Sequence, residues 1–194
     1  MNHNPAPVKE PLKLDPFAKM SGNKKTITRQ QRLRFFRLLA LCEKQAQGLQ
    51  GVTRRLLEEN ETPNILWVDE HLRDPTGEDR LESFGAKFSR LQDMICDKLI
   101  PAFLQASGEK PGTLLDNLNR LEGLGLVENT ELWIETRGLR NRLVHEYIED
   151  SALLAEALIE ARRFSEILFA ALEKLSTASE TLRPTEPDDG FPRQ

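Results

Sequence analysis

A chain of 194 residues and 22.1 kDa fits one domain, and 39% hydrophobic residues are enough for a single core. A net charge of −4 and a pI near 5.6 exclude a polycation that grips nucleic acid indiscriminately. Two distant cysteines, Cys42 and Cys96, and three scattered histidines, His3, His71 and His145, argue against a disulfide framework or a zinc site, and no cofactor is expected. The first residues, MNHNPAPVKEPLKLDPF, hold no apolar core of a signal peptide, and no run approaches the roughly 20 apolar residues of a membrane span. A cytoplasmic protein is expected.

Residues 1–26 carry Pro5, Pro7, Pro11 and Pro16 among polar residues and read as a flexible arm. Residues 183–194, with Pro184, Pro187 and Pro192, read as a matching tail, which leaves one domain over 27–182. Thr28 is a plausible cap for a first helix that runs toward Glu59, with Gly48 and Gly51 allowing a bend. Asn60 to Asp79, with Pro63, Pro75 and Gly77, reads as a loop whose Leu66 and Trp67 tuck back onto the core and whose His71 lies at the surface. A second helix from Arg80 to about Gln105 places Leu81, Phe84, Phe88, Leu91, Ile95 and Leu99 on one stripe, with Pro101 disturbing its last turns. The string TLLDNLNRLEGL predicts a short helix, and Asn129 or Thr130 caps a fourth that runs continuously through ELWIETRGLRNRLVHEY. The last helix opens at Asp150 or Ser151 and carries Leu154, Leu158, Ala161, Phe164, Leu168, Leu172 and Leu175 along one face. Strand-like alternation is missing throughout. The fold class expected is all-α, an up-and-down antiparallel helical bundle.

Charge is segregated along the chain. Residues 24–59 hold nine Lys and Arg against three Glu, whereas residues 60–194 hold fifteen basic against twenty-six acidic residues. An acidic molecule of this kind still owns a basic helix able to meet phosphate.

Motifs for nucleotide binding, serine hydrolysis and zinc proteolysis are missing. One segment, RGLRNRLVHEYIED over residues 137–150, stands apart, with three arginines, Asn141, His145 and the chain's only tyrosine, Tyr147, within eleven positions. On a continuous helix Arg137, Asn141 and His145 step by four and share a face, while Arg140 lies about 140° from His145. Arg140 and His145 therefore flank a face in one chain, and a two-fold dimer would bring two of each into one cleft. A neutral imidazole can take and return a proton, and a guanidinium can hold a phosphate and stabilise charge at a pentacoordinate phosphorus. Without a metal, phosphodiester cleavage is easiest where the ribose 2′-OH is the nucleophile, which favours RNA over DNA. The plain structural alternative is that these side chains cap carbonyls or pair with acids such as Glu146 and Asp150. Trp67 and Trp133 can stack bases, but their apolar neighbours place them, with Met20, Met94 and the phenylalanines, in the core.

The string Arg140-Asn141-Arg142-Leu143-Val144-His145-Glu146-Tyr147 resembles the R-x4-H-x-Y motif of HepT-like HEPN proteins. LESFGAKFSRLQDMICDKLIPAFL is similar to the family's second helix, and NLNRLEGLGLVENTELWIETRGLRNRLVHEY to the segment that leads into the motif. The similarity spans roughly residues 80–175; the proline-rich ends and the 60–79 stretch are additions to the compact pattern. The resemblance implies a helical bundle that pairs as a homodimer with the motif lining the cleft, and a metal-independent endoribonuclease toxin. It also implies a neighbouring MNT-type nucleotidyltransferase antitoxin that adenylylates the motif tyrosine. Carried onto this chain, Arg140 is the phosphate-binding residue, His145 the general acid/base, Asn141 the supporting polar residue and Tyr147 the AMP acceptor. The alternative reading is a non-catalytic HEPN module that presents substrate or nucleotide to a partner nucleotidyltransferase. A third reading, a purely structural adaptor, leaves the intact motif unexplained.

Overall fold

Helix starts in this chain are set by short polar side chains that accept a backbone N–H two or three residues on. In the computed structural model, which describes residues 27–57, 62–145 and 150–183, Thr28 opens α1 (Arg29–Leu56) in a capping box with Gln31. Asn64 opens α2 (Ile65–Arg73) through the Trp67 amide at 3.0 Å, and Asp74 opens α3 (Pro75–Met94) through the Gly77 amide at 3.0 Å. A π turn (Ile95–Leu99) and α4 (Ile100–Ala106) prolong α3. Thr113 boxes with Asp116 to open α5 (Leu114–Gly123), and Asn129 caps α6 (Thr130–Glu135). A 3-10 turn (Thr136–Gly138) leads into α7 (Leu139–His145). Asp150 caps α8 (Ser151–Ala178), and a last 3-10 turn covers Glu180–Leu182. Strands are missing among the described residues, and the fold is an all-α bundle.

Of the stretch expected as a loop over Asn60–Asp79, residues 65–73 form α2 and residues 75–79 the start of α3. Pro75 and Gly77 do not break structure there: Pro75 occupies the first helical turn, where no N–H is needed. Gly77 is required by close approach, since a Cβ would lie 2.5 Å from the His71 carbonyl oxygen. Trp67 is buried on the core side of α2 as expected, while Leu66 is 73% exposed rather than tucked in. His71 is half-buried on a helix rather than in a loop; its ring stacks on Trp67 at 3.6 Å, and Nδ1–H donates to the Trp67 carbonyl at 2.8 Å. The second helix begins at Pro75 rather than Arg80. Pro101, which has no N–H and crowds the carbonyl four residues earlier, is preceded by the π turn, so the rod continues through to Ala106.

α1 runs antiparallel to α3 and α4, with Phe35 against Phe103 at 5.5 Å at one end and the Arg80 guanidinium beside the Arg55 carbonyl at the other. α8 lies along the same rod, Phe164 meeting Phe88 and the fully buried Trp133 in edge contacts at 6.3 and 5.4 Å. The stripe from Leu154 to Leu175 is buried as its spacing predicts. Cys42 and Cys96 are free and buried, and desolvation pushes each thiol up to about 12. The arm over 1–26, Met20 and the tail beyond Arg183 lie outside the described residues.

Candidate active site on helix α7

The fourth helix expected over 130–147 is interrupted. Thr136 turns its hydroxyl back to the Leu132 carbonyl at 2.7 Å, and the chain tightens into a 3-10 turn through Gly138 before α7 resumes. This changes the register, so Arg137 does not extend the α7 face by a simple four-residue step. Leu139 and Leu143 are buried and anchor α7 against α3 and α8. Gly85 of α3 makes the close packing possible: a Cβ there would stand 3.3 Å from the Leu143 carbonyl oxygen.

With the leucines of α7 turned inward, the arginines of α7 and of the 3-10 turn before it meet acids of neighbouring elements. Arg140 Nη1 lies 3.2 Å from Asp93 Oδ2 at the end of α3. Arg137 Nη2 lies 3.3 Å from Asp97 Oδ1 in the π turn, and Arg142 pairs with Glu160 of α8. Asp93 and Asp97 are four apart, so the two acids sit one above the other and receive Arg137 and Arg140 side by side. Of the acids expected from sequence, Asp150 is engaged elsewhere. Asp150 accepts from the Ala152 and Leu153 amides as the α8 cap, and Glu146 lies outside the described residues.

Arg140 remains 55% exposed, so Asp93 holds one edge of the guanidinium while other donors face solvent. An ion pair this exposed contributes at most about 1 kcal/mol to stability, and a phosphate can share or displace it. The backbone of α7 carries Asn141 and His145 in helical register, with Arg140 and His145 five positions apart on one short helix. The side chains of Asn141 and His145, and the whole of Tyr147, lie outside the described residues. Asp93, Asp97 and Glu160 are the residues the sequence reading missed. The four-residue spacing of Asp93 and Asp97 was visible, but nothing local says that it faces residues some forty positions on.

The chain matches no family model, no curated protein and no solved structure. Among the described residues no helix is long and apolar enough to cross a membrane, and no group of three His, Cys, Asp or Glu side chains is arranged to hold a metal ion.

Proposed function

We propose that this protein is a HepT-like HEPN endoribonuclease, the toxin of a toxin–antitoxin pair, cutting RNA without a metal through attack of the ribose 2′-OH. The observation that carries this reading is the R-x4-H-x-Y string of the sequence, whose Arg140 and His145 positions lie on one short helix of an all-α bundle with Arg140 open to solvent. In this mechanism Arg140 binds the scissile phosphate and stabilises charge that builds at phosphorus. His145 takes the 2′-OH proton and returns one to the leaving 5′ oxygen, and Asn141 orients the site. The products are a 2′,3′-cyclic phosphate and a free 5′-OH.

Arg140 and His145 flank a helix face rather than meet, so the reading places the complete site in a homodimer cleft between two α7 helices. Light scattering at micromolar concentration then gives about twice 22.1 kDa; a strict monomer removes the composite cleft. Kinetics on a single-stranded RNA test the chemistry: His145→Ala loses roughly 100-fold or more in rate, and Arg140→Ala loses on the order of 3 kcal/mol of transition-state stabilisation. Circular dichroism must report both variants folded.

The Asp93–Arg140 pair supports a second reading, in which the arginine serves structure and the bundle presents substrate or nucleotide to a partner nucleotidyltransferase. Under that reading neither substitution alters any RNA, and the purified protein leaves RNA intact at all concentrations.

A further inference from the structure

The α7 arginines each have a carboxylate partner; those at the start of α1 do not. Arg29, Arg34 and Arg37 make no ion pair among the described residues. With Gln30, Leu33 and Leu38 they line a groove of about 710 Å³ on the flank of α1 turned away from the buried Phe35, Leu39 and Cys42. Helix stability does not account for these charges. The first turn of α1 holds no acid, its capping box uses neutral Gln31 in place of Glu, and the next acidic residue in sequence is Glu43. Arginine near the positive end of a helix dipole is electrostatically unfavourable, so the sequence concentrates positive potential here at a cost to the helix. From Arg29 to Arg37 the cations spread over about 12 Å of helix axis, a spacing suited to a ligand with repeating charge.

α1 packs on α3, α4 and α8, whereas α7 packs on α3 and α8, so the α3–α8 pair lies between this face and the candidate catalytic helix. We infer that the Arg29–Arg34–Arg37 face of α1 is a second RNA contact, a docking surface for the phosphate backbone of single-stranded RNA that is separate from the site of cleavage. This rests on the RNase reading for the identity of the polyanion. Guanidinium groups take phosphate oxygens in pairs, and a lining of three arginines without a single acid favours a phosphate backbone, with Leu33 and Leu38 left to meet the bases. Contacts of this kind hold substrate equally in the ground and transition states, so they act on KM and not on kcat.

Fluorescence anisotropy with a 2′-O-methylated single-stranded RNA, which cannot be cut by 2′-OH attack, tests the surface on the full chain between about 50 and 200 mM salt. The triple variant Arg29→Gln/Arg34→Gln/Arg37→Gln binds more weakly, and its slope of log affinity against log salt is shallower by about 2, the release expected for three single-strand phosphate contacts. Arg54→Gln/Arg55→Gln, at the other end of the same helix, keeps the wild-type slope. A triple variant with the wild-type slope, or an equal loss in the control variant, overturns the inference. With a cleavable RNA the triple variant raises KM at unchanged kcat. Cleavage at wild-type KM refutes the docking surface and leaves the RNase reading standing. Salt-dependent binding through these arginines without cleavage does the reverse.

Discussion

Arg140 and Asp93, forty-seven positions apart in sequence, meet through Nη1 and Oδ2 at 3.2 Å across the α7–α3 contact. The pair is half-exposed, so its contribution to folding is small and its effect is on where the guanidinium sits. Asp93→Ala therefore changes stability by less than about 1 kcal/mol and, under the proposed RNase reading, lowers cleavage severalfold, because Arg140 loses its fixed edge. As a positioning residue Asp93 acts through Arg140, so Asp93→Ala/Arg140→Ala is no slower than Arg140→Ala alone. Full additivity in this double-mutant cycle contradicts the assignment.

Gly85 sets how closely α7 lies on α3. A valine there drives its branches into the Leu143 carbonyl, which already stands 3.3 Å from the position of a Cβ. We expect Gly85→Val to lose about 1–3 kcal/mol in denaturant unfolding. Cleavage falls further than the unfolded fraction explains, since α7 is displaced. Retention of wild-type rate in the folded variant contradicts the role of this contact.

Much of the bundle was legible because its signals are local. Thr28 and Asn129 cap where their sequence context indicates, the last helix starts at its expected place, and the α8 stripe follows from apolar spacing alone. The reading failed where the same residue types serve two purposes. Pro75 and Gly77 signal a loop in isolation, but beside Asp74 they are a helix start pressed against the carbonyl of His71. Thr136 broke the fourth helix through a side-chain bond to Leu132 that propensity does not encode. At the candidate site, the motif singles out Arg140, whereas Asp93, Asp97 and Glu160 became visible only once α3, the π turn and α8 were placed against the motif segment.

Cys42 and Cys96 are protonated in the folded chain at any ordinary pH, since burial raises each thiol from 9.0 to about 12. Unfolding restores them to the ordinary range, so between about pH 9 and 12 the unfolded state holds fewer protons than the native state. The contribution is fully present below about pH 9 and is lost as pH rises toward 12. Both thiols resist a disulfide-exchange reagent at pH 8 in the native protein and react together in denaturant. Rapid native labelling of either contradicts the burial.

The proposed reading puts control by a partner on Tyr147, the only tyrosine in the chain. Under the proposed reading an MNT-type nucleotidyltransferase with ATP and Mg²⁺ transfers AMP to its phenol oxygen and releases pyrophosphate. The added phosphate repels incoming RNA. Intact-mass spectrometry after co-incubation shows one adduct on the wild type and none on Tyr147→Phe. An adduct that persists in the Phe variant, or inhibition without any adduct, contradicts covalent control.

The most direct measurement is the chemistry of the cut end. Incubation of the purified protein with single-stranded RNA in excess EDTA, followed by mass analysis of the fragments, should give 2′,3′-cyclic phosphate and 5′-OH termini. The same products should be lost in His145→Ala and when the ribose beside the scissile bond is 2′-O-methylated. Intact RNA, cleavage abolished by EDTA, or cutting of the methylated substrate contradicts the Arg140–His145 mechanism.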